Sequence, residues 1–461
     1  MKLRFWLALW AGKMTSMVLK LLGKRGTTFP GFVARKICPD IIRQLAAGFA
    51  EGTLVVTGTN GKTTTNNLLA SILKTAGLKI AFNKEGANML AGITVTLLQN
   101  TSWRAKAQAS LLLLEVDEGS VPLLCRQISP RLVVVTNFFR DQLDRYGELD
   151  TTIKLVQDAL PQSTELVLNA DDPLVVRLGH GREKVWYFGV KAFPSSKAES
   201  TETREGKYCS HCGQELQYSL FHYGQLGIYS CSGCDFRRPQ PEIEAVQVVE
   251  DNGAIGFQVD QEHYGLPLPG SYNLYNALAA FCAAVRLGID REIIRRGLLD
   301  FKAEAGRMEQ FRLGSKQLTL TLVKNPTGFN QVLNAILNTN KPLRLLIAIN
   351  DLAADGRDVS WLWDVDFENL AKHRSLIRQI ICSGLRAEDM ALRLKYAGFA
   401  ENSLQLERSL ERAVEILATE SRSATGEELI YVLPTYTALF TMREILLKRP
   451  AEERERQVMT A

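Results

Sequence analysis

Val55-Val56-Thr57-Gly58-Thr59-Asn60-Gly61-Lys62-Thr63-Thr64-Thr65 stands between an apolar run and a helix-forming stretch, and its reading decides the fold. Strand, glycine turn, Lys-Thr and helix in that order make a cradle for a triphosphate. Backbone N–H groups and the helix N-terminus face the anion, Lys62 neutralises charge, and the Thr63 hydroxyl can reach Mg²⁺. The usual spacing G-x-x-x-x-G-K-[ST] requires glycine at position 56, where this chain has Val56. Its first glycine is Gly58, giving the shorter form T-G-T-N-G-K-T.

Outward from this loop, the next buried-strand pattern is Leu111-Leu-Leu-Leu-Glu115-Val-Asp117-Glu118-Gly119. Four leucines running into carboxylates predict a strand whose end can hold the Mg²⁺ that bridges phosphates. Apolar runs at 53–56, 110–116, 132–136, 165–168 and 185–188 alternate with helical patterns such as 63–76 and 151–160. This rhythm predicts an α/β domain with a mostly parallel sheet from about 49 to 305. A second, smaller α/β block follows from about 306 to 449, with strands at 318–323, 343–349, 379–383 and 429–433. A charged tail occupies 450–461. The length of 461 residues fits two or three domains.

Residues 191–240 interrupt the rhythm. Cys209-Ser-His-Cys212 and Cys231-Ser-Gly-Cys234 are two C-x₂-C pairs, each a knuckle that turns two thiolates to one side. Together they predict a structural tetrahedral Zn²⁺ site in a ribbon inserted at about 205–238. Cys38, Cys125, Cys282 and Cys382 stand alone in apolar contexts and read as buried thiols of a reducing compartment, the cytoplasm.

Composition is that of a soluble globular protein, 46% hydrophobic and 23% charged. A net charge of +5 is mild for this length and gives no reason to expect nucleic acid as a partner. The basic excess is concentrated in an arm, residues 1–48. Its first 39 residues hold Lys2, Arg4, Lys13, Lys20, Lys24, Arg25, Arg35 and Lys36 with no acidic residue, among Phe5, Trp6, Leu7, Leu9, Trp10 and further apolar residues. Lys13 and Lys20 break the run, so it does not read as a membrane span. A secretory leader fits poorly, since no clean small-residue cleavage site follows a short apolar core. A helix packed on the next domain and a helix lying on an anionic membrane face remain as two compatible readings.

The ordered motifs carry a resemblance. T-G-T-N-G-K-T-T, the strand ending in Glu115, Thr136-Asn137-x-x-x-Asp141-x-Leu143-Asp144-x-x-Gly147, Asn169-Ala-Asp-Asp-Pro173 and Pro269-Gly-Ser-Tyr-Asn273-Leu-Tyr-Asn276-Ala-Leu-Ala-Ala280 resemble the Mur ligase family. That family uses ATP to turn a carboxylate into an acyl phosphate, which an amine then attacks. The resemblance implies a Mur-ligase-like central ATPase domain. It implies ATP contacts from Gly58, Thr59, Asn60, Gly61, Lys62, Thr63 and Thr64, Mg²⁺ held by Thr63 and Glu115, Asn273 and Asn276 near adenine, and Arg307 near the phosphates. Two departures stand out. Gln142 replaces a histidine of the family's D-H-L-D, and Thr321-Leu-Val-Lys324-Asn325-Pro326 replaces its D-Y-A-H-N-P.

The four-cysteine insert, Asn83-Lys-Glu85-Gly-Ala-Asn88, Lys324-Asn-Pro-Thr-Gly-Phe-Asn330 and Asn350-Asp351-Leu-Ala-Ala-Asp355-Gly-Arg-Asp358-Val-Ser-Trp361-Leu-Trp363-Asp364 are similar to the branch of that family that amidates lipid II, the MurT-type synthetase subunits. The resemblance implies amidation of the α-carboxyl of D-glutamate in lipid II, with ammonia from a separate GatD-type glutaminase. Glutaminase chemistry needs a Cys–His pair, and none of the five histidines lies beside a convincing reactive cysteine. The C-terminal domain would then contact that partner. Trp361 and Trp363 would suit an interface if exposed, and one loop aspartate would complete the partner's catalytic pair. Asp355 is preferred, with Asp358 second and Asp351 third. Two other readings also stay open, a ligase of this fold that adds an amino acid and a nucleotide-binding zinc scaffold without activity.

Overall fold

A computed structural model describes residues 3–23, 26–83, 87–141, 148–200, 204–251, 253–302, 306–313, 316–337, 339, 341–422 and 428–459. Residues 84–86 and 142–147, which include Glu85, Gln142 and Asp144 of the motifs above, lie outside them. The chain divides into two compact units. The first comprises Met1–Phe139 and Glu148–Phe301, the second Arg140–Gly147 and Lys302–Ala461.

The first unit holds β1 (Thr53–Thr57), β2 (Ile80–Phe82), β3 (Leu111–Glu115), β4 (Leu132–Val135), β5 (Glu165–Asn169), β6 (Val185–Val190), β7 (Leu216–Tyr223), β8 (Leu226–Cys231), β9 (Ile243–Asp251), β10 (Ala254–Val259) and β11 (Glu262–Leu266). Nine of these form one sheet in the order β11-β10-β9-β6-β5-β4-β1-β3-β2, and β7 and β8 form a separate antiparallel hairpin. From β2 across to β9 the pairing is parallel. The sheet ends in the antiparallel meander β9–β10–β11, which the sequence reading did not anticipate.

The unbroken apolar runs of β1, β3 and β4 follow from burial on both faces. Alternate side chains feed different cores. Leu54, Val56, Leu111 and Leu113 join one core with the helices Lys62–Thr75, Ser271–Arg286 and Arg291–Leu299. Val55, Leu112 and Leu114 join the other with the helices Leu3–Leu21, Ile41–Ala46 and Leu90–Gln99. The basic arm therefore has a packed side, through Phe5, Ala8 and Leu9.

The second unit holds β12 (Glu309–Leu313), β13 (Lys316–Leu320), β14 (Leu343–Ala348), β15 (Ile377–Ser383), β16 (Leu404–Leu406) and β17 (Leu429–Pro434), ordered β12-β13-β17-β14-β15-β16. All neighbours are parallel except the β12–β13 hairpin. Again the strands alternate between two cores, with Leu345, Ile347, Ile380 and Cys382 in one and Leu346, Ala348, Ile381 and Val432 in the other.

Candidate functional site

Three neighbouring strands of the first unit, β3, β1 and β4, bring their C-terminal ends together, where ligands of open parallel sheets bind. The glycine loop follows β1. Gly58 and Gly61 have φ of 118° and 83°, a region that disfavours side chains. Space excludes them as well, since a Cβ on Gly61 would stand 1.9 Å from Asn276 Oδ1 and one on Gly58 2.4 Å from the Thr136 hydroxyl. The helix then begins at Lys62, with Gly61 as its cap.

The end of β4 ties this loop down. Thr136 Oγ1 donates to Asn60 O at 2.7 Å, and Asn137 accepts from the Asn60 N–H at 2.9 Å while donating to Asn60 O at 3.1 Å. Thr59 N–H donates to Asn137 O, and the Thr59 hydroxyl accepts from the Phe139 N–H at 3.1 Å. The Thr136-Asn137 motif thus positions the phosphate loop, a role that spacing in the sequence did not disclose.

Lys62 is buried. Its Nζ donates to Gly58 O at 2.5 Å and meets Glu118 Oε2 at 2.9 Å. Burial alone would lower its pKa, but Glu118, Asp117 and Glu115 raise it above the ordinary lysine value, so the ammonium is kept. Glu118 was quoted in the sequence motif without a role; here it is the counter-ion of the loop lysine.

Glu115 ends β3 with its backbone held on both sides by Asn83, whose Oδ1 accepts from the Glu115 N–H and whose Nδ2 donates to Glu115 O, both at 2.8 Å. Asn88 Nδ2 donates to Glu115 Oε1 at 3.0 Å. The other oxygen, Oε2, is buried without a hydrogen-bond partner. A carboxylate oxygen left bare at 2% residue exposure suits a cation. The spacing Asn83–Asn88 was the available signal for this clamp. Thr63 and Thr64 lie in the first turn of the helix after the loop.

Asn273 and Asn276 are buried in the helix Ser271–Arg286. Asn276 Oδ1 accepts from the Thr65 hydroxyl at 3.4 Å, its Nδ2 donates to Asn273 Oδ1 at 3.3 Å, and Asn273 donates to Pro269 O at 2.7 Å. The structure thus brings Asn276 against the loop helix. Arg307 belongs to the second unit.

The Asn169-Ala-Asp-Asp-Pro173 motif forms a buried hub. Asp171 accepts from Arg238 Nε and Tyr275 Oη, each at 2.6 Å, and from the Val190 N–H at 2.8 Å. Asp172 accepts from the N–H groups of Phe138 and Leu174, and burial nevertheless pushes its pKa up to about 7.

The four cysteines of the insert converge. All four Sγ atoms lie within 4.8 Å of one another, with Cys209–Cys234 at 3.5 Å and Cys212–Cys231 at 3.4 Å. No disulfide joins them, and tetrahedral Zn–S bonds of 2.3 Å would set sulfurs about 3.8 Å apart. The N–H groups of His211 and Gly233 point at Cys209 Sγ and Cys231 Sγ, as they do where knuckle thiolates carry negative charge. The cluster has the size and chemistry to hold one metal ion. It heads the β7–β8 hairpin, whose turn residue Gln225 donates to Phe138 O at 2.5 Å.

In the second unit, the acidic loop follows β14. Asp355 is buried and accepts from Thr437 N–H at 2.7 Å, Thr437 Oγ1 at 2.5 Å and Leu352 N–H at 3.2 Å. Asp351 pairs with Arg386 at 2.7 Å. Asp358 is exposed, and the Ser360 N–H it accepts lowers its pKa. Of the two tryptophans, only Trp363 is exposed, 5.5 Å from Tyr396; Trp361 packs inward toward Phe329. Cys382 is fully buried, and burial pushes its thiol up to about 12, which makes it inert at neutral pH. Lys324 pairs with Asp141 at 2.6 Å, and Thr321, which stands where the family has aspartate, is buried.

Comparison with known proteins follows the same division. Residues 56–231 match the Mur ligase middle domain and residues 322–439 the MurT ligase C-terminal domain. The chain is 37% identical over 445 residues to the MurT subunit of lipid II isoglutaminyl synthase (glutamine-hydrolyzing) from Staphylococcus aureus strain COL, covering 96% of this chain and 98% of that one. It is 37% identical over 459 residues to the MurT subunit from Streptococcus pneumoniae strain ATCC BAA-255 / R6, covering 99% and 100%. Among solved structures it is similar to a pseudomurein peptide ligase type C from Methanothermus fervidus (TM-score 0.64, 24% identity, 86% and 78% of the two chains). It is also similar to the MurF ligase of Thermotoga maritima in complex with ADP (TM-score 0.63, 14% identity, 91% and 85%). These two likenesses concern the fold.

Proposed function

The chain belongs to the MurT group of the Mur ligase family, and from that premise we propose that it is the synthetase subunit of a lipid II isoglutaminyl synthase. It amidates the α-carboxyl of D-glutamate in the stem peptide of lipid II, at the expense of ATP. The observation that carries this reading is full-length identity at 37%, spanning both units rather than the nucleotide loop alone.

The reaction has two halves. A carboxylate oxygen of the substrate attacks the γ-phosphorus of ATP, the bond to the β-phosphate oxygen breaks, and an acyl phosphate and ADP form. Ammonia then attacks the acyl carbon, loses a proton and expels inorganic phosphate, leaving the amide. Loop residues 58–64 cradle the phosphates, with the Thr59 and Asn60 N–H groups taken by Asn137 so that the remaining loop amides face the anion, and Lys62 leaves Glu118 to stabilise the charge on the transferring phosphoryl group. Bound Mg²⁺ would supply neutralisation of the phosphate charge. Thr63 and the bare Oε2 of Glu115 are the groups that would hold it. Asn273 and Asn276 are assigned to the adenine side of the site and Arg307 to the phosphates.

Ammonia comes from a GatD-type glutaminase in a heterodimer, docked on the C-terminal domain (306–449), with Asp355 orienting the partner's histidine and Asp358 as the alternative. Because Asp355 is held by Thr437, this role requires the loop to yield that bond on docking. The four cysteines hold a structural Zn²⁺. The reaction takes place in the cytoplasm, at the inner face of the plasma membrane.

The test is copurification with the glutaminase and an amidation assay on lipid II. Glutamine or ammonium should support amide formation with ADP release, and Lys62→Ala should abolish both. An amino acid serving as well as ammonia would identify a different ligase.

A further inference from the structure

No helix among the described residues is long and apolar enough to cross a membrane, yet the helix Leu3–Leu21 is apolar on two opposite sides. Phe5, Ala8, Leu9 and Gly12 are buried, with Gly12 against Leu98 and Ala34. This packing fixes the rotation of the helix. Its outer side carries Leu3, Leu7, Trp10, Met14, Met17 and Leu21, at alternating steps of four and three that align as one stripe. Each is between 47% and 80% exposed. Val18, Leu22, and Phe29 and Phe32 of the adjoining helix Phe29–Ile37 are exposed too. A stripe of this extent on a folded chain marks an interaction surface.

The charges select its occupant. Arg4, Lys20 and Lys36 are exposed, and the first 39 residues contain no acid. Lys13, on the same helix, is turned inward, its Nζ donating to Leu98 O and Thr101 O at 2.5 Å, so the ammonium does not stand in the stripe. Trp10 donates its indole N–H to Trp103 O at 3.2 Å, and Trp103 is half-exposed. Such rings suit the headgroup level of a bilayer. A second copy of the helix could match the spacing, but it would bring cation to cation with no acidic partner on either side.

We infer that the outer stripe of Leu3–Leu21, extended by Phe29 and Phe32, is a docking face for an anionic lipid surface, on which the helix lies in the membrane plane. This deepens the reading that the substrate is lipid-borne, and rests on it for its purpose but not for its observations. It assigns the face, the side chains that enter the acyl boundary and the headgroup charge they require.

The experiment is cosedimentation of the full chain with vesicles free of lipid II, made of phosphatidylglycerol or of phosphatidylcholine. The chain should bind phosphatidylglycerol vesicles at least tenfold more tightly, with the preference shrinking as salt rises. The double variant Leu7→Glu/Met14→Glu should lose at least tenfold in vesicle binding while keeping its melting temperature and ATP affinity, because both positions face outward. Equal binding by variant and parent, no binding by the parent, or a parent dimer that the variant converts to monomer would each overturn the inference. Amidation of detergent-solubilised lipid II separates the two readings. If vesicle binding fails while amidation proceeds, only the docking face falls. If vesicle binding holds while amidation is absent, only the proposed function falls.

Discussion

The phosphate loop of the first unit and the acidic loop of the second are built alike and left in different states. Each follows a central parallel strand, β1 or β14, and each is tied by a threonine and a second polar residue at the end of the adjacent strand. Thr136 and Asn137 after β4 hold the first; Thr435 and Thr437 after β17 hold the second, through Asn350 and Asp355. The charged groups differ. Around the phosphate loop, one oxygen of Glu115 is bare and Lys62 rests on a neighbouring carboxylate. In the acidic loop, Asp351 has Arg386, Asp355 has Thr437, and Asp358 has the Ser360 N–H. A site with bonding capacity in reserve waits for a ligand, whereas a site with its bonds made must exchange one to act on a partner.

This contrast can be broken by experiment, and the largest effect belongs to the first loop. Lys62→Ala should cut substrate-dependent ADP release by at least about 10³-fold, since a donor aimed at transition-state charge is lost; a rate within tenfold of the parent would remove the loop from the chemistry. Glu115→Gln should lower kcat by about 10²-fold, with magnesium titration shifted to higher concentration, as expected for loss of a charged oxygen ligand. A magnesium titration that does not move would leave the bare oxygen unexplained.

The second loop predicts a split rather than a loss. Asp355→Asn should reduce glutamine-driven amidation by about 10- to 100-fold yet leave ammonia-driven amidation within about twofold, because only the partner's histidine would feel the change. Thr437→Val serves as the control, lowering the melting temperature with both activities retained. If Asp355→Asn lowers both activities equally, Asp355 is a turn-holding residue and Asp358→Asn becomes the variant to assay.

Chelation of the cysteine cluster, or Cys231→Ser, should lower the melting temperature by several degrees and raise KM for ATP by about three- to tenfold, with glutaminase binding unchanged. The smallest effect is expected from Glu118→Gln. It removes the carboxylate that competes with phosphate for Lys62, so ATP should bind about two- to fivefold more tightly, while the nucleotide-free chain melts earlier because a buried ammonium has lost its counter-ion.

Much of the first unit was legible in the sequence because its signals are local. The glycine loop, the leucine strand ending at Glu115 and the four cysteines each declare themselves within a few residues. The features that complete the site are not local. Glu118 meets Lys62 from 56 positions away, and Asn137 meets Asn60 from 77, and register between strands settles such pairs. The β9–β11 meander was hidden among mixed polar and apolar residues at the sheet edge. For the first helix, sequence leaves packing and membrane contact as compatible readings, because two apolar stripes on opposite sides blur into a single biased composition. In the second unit, Trp361 and Trp363 are two residues apart in sequence, and only the turn of the backbone between them decides which one meets solvent.

The hairpin that carries the cysteine cluster reaches the residues that brace the phosphate loop, with Gln225 on Phe138 and the Phe139 N–H on Thr59. If the four cysteines hold zinc as proposed, the ribbon would act as a checkpoint on nutrition. In a bacterium starved of zinc, newly made chains would fold with a slack brace and a weaker hold on ATP. The fraction of amidated cell-wall precursors would then report the metal supply under which the wall was built.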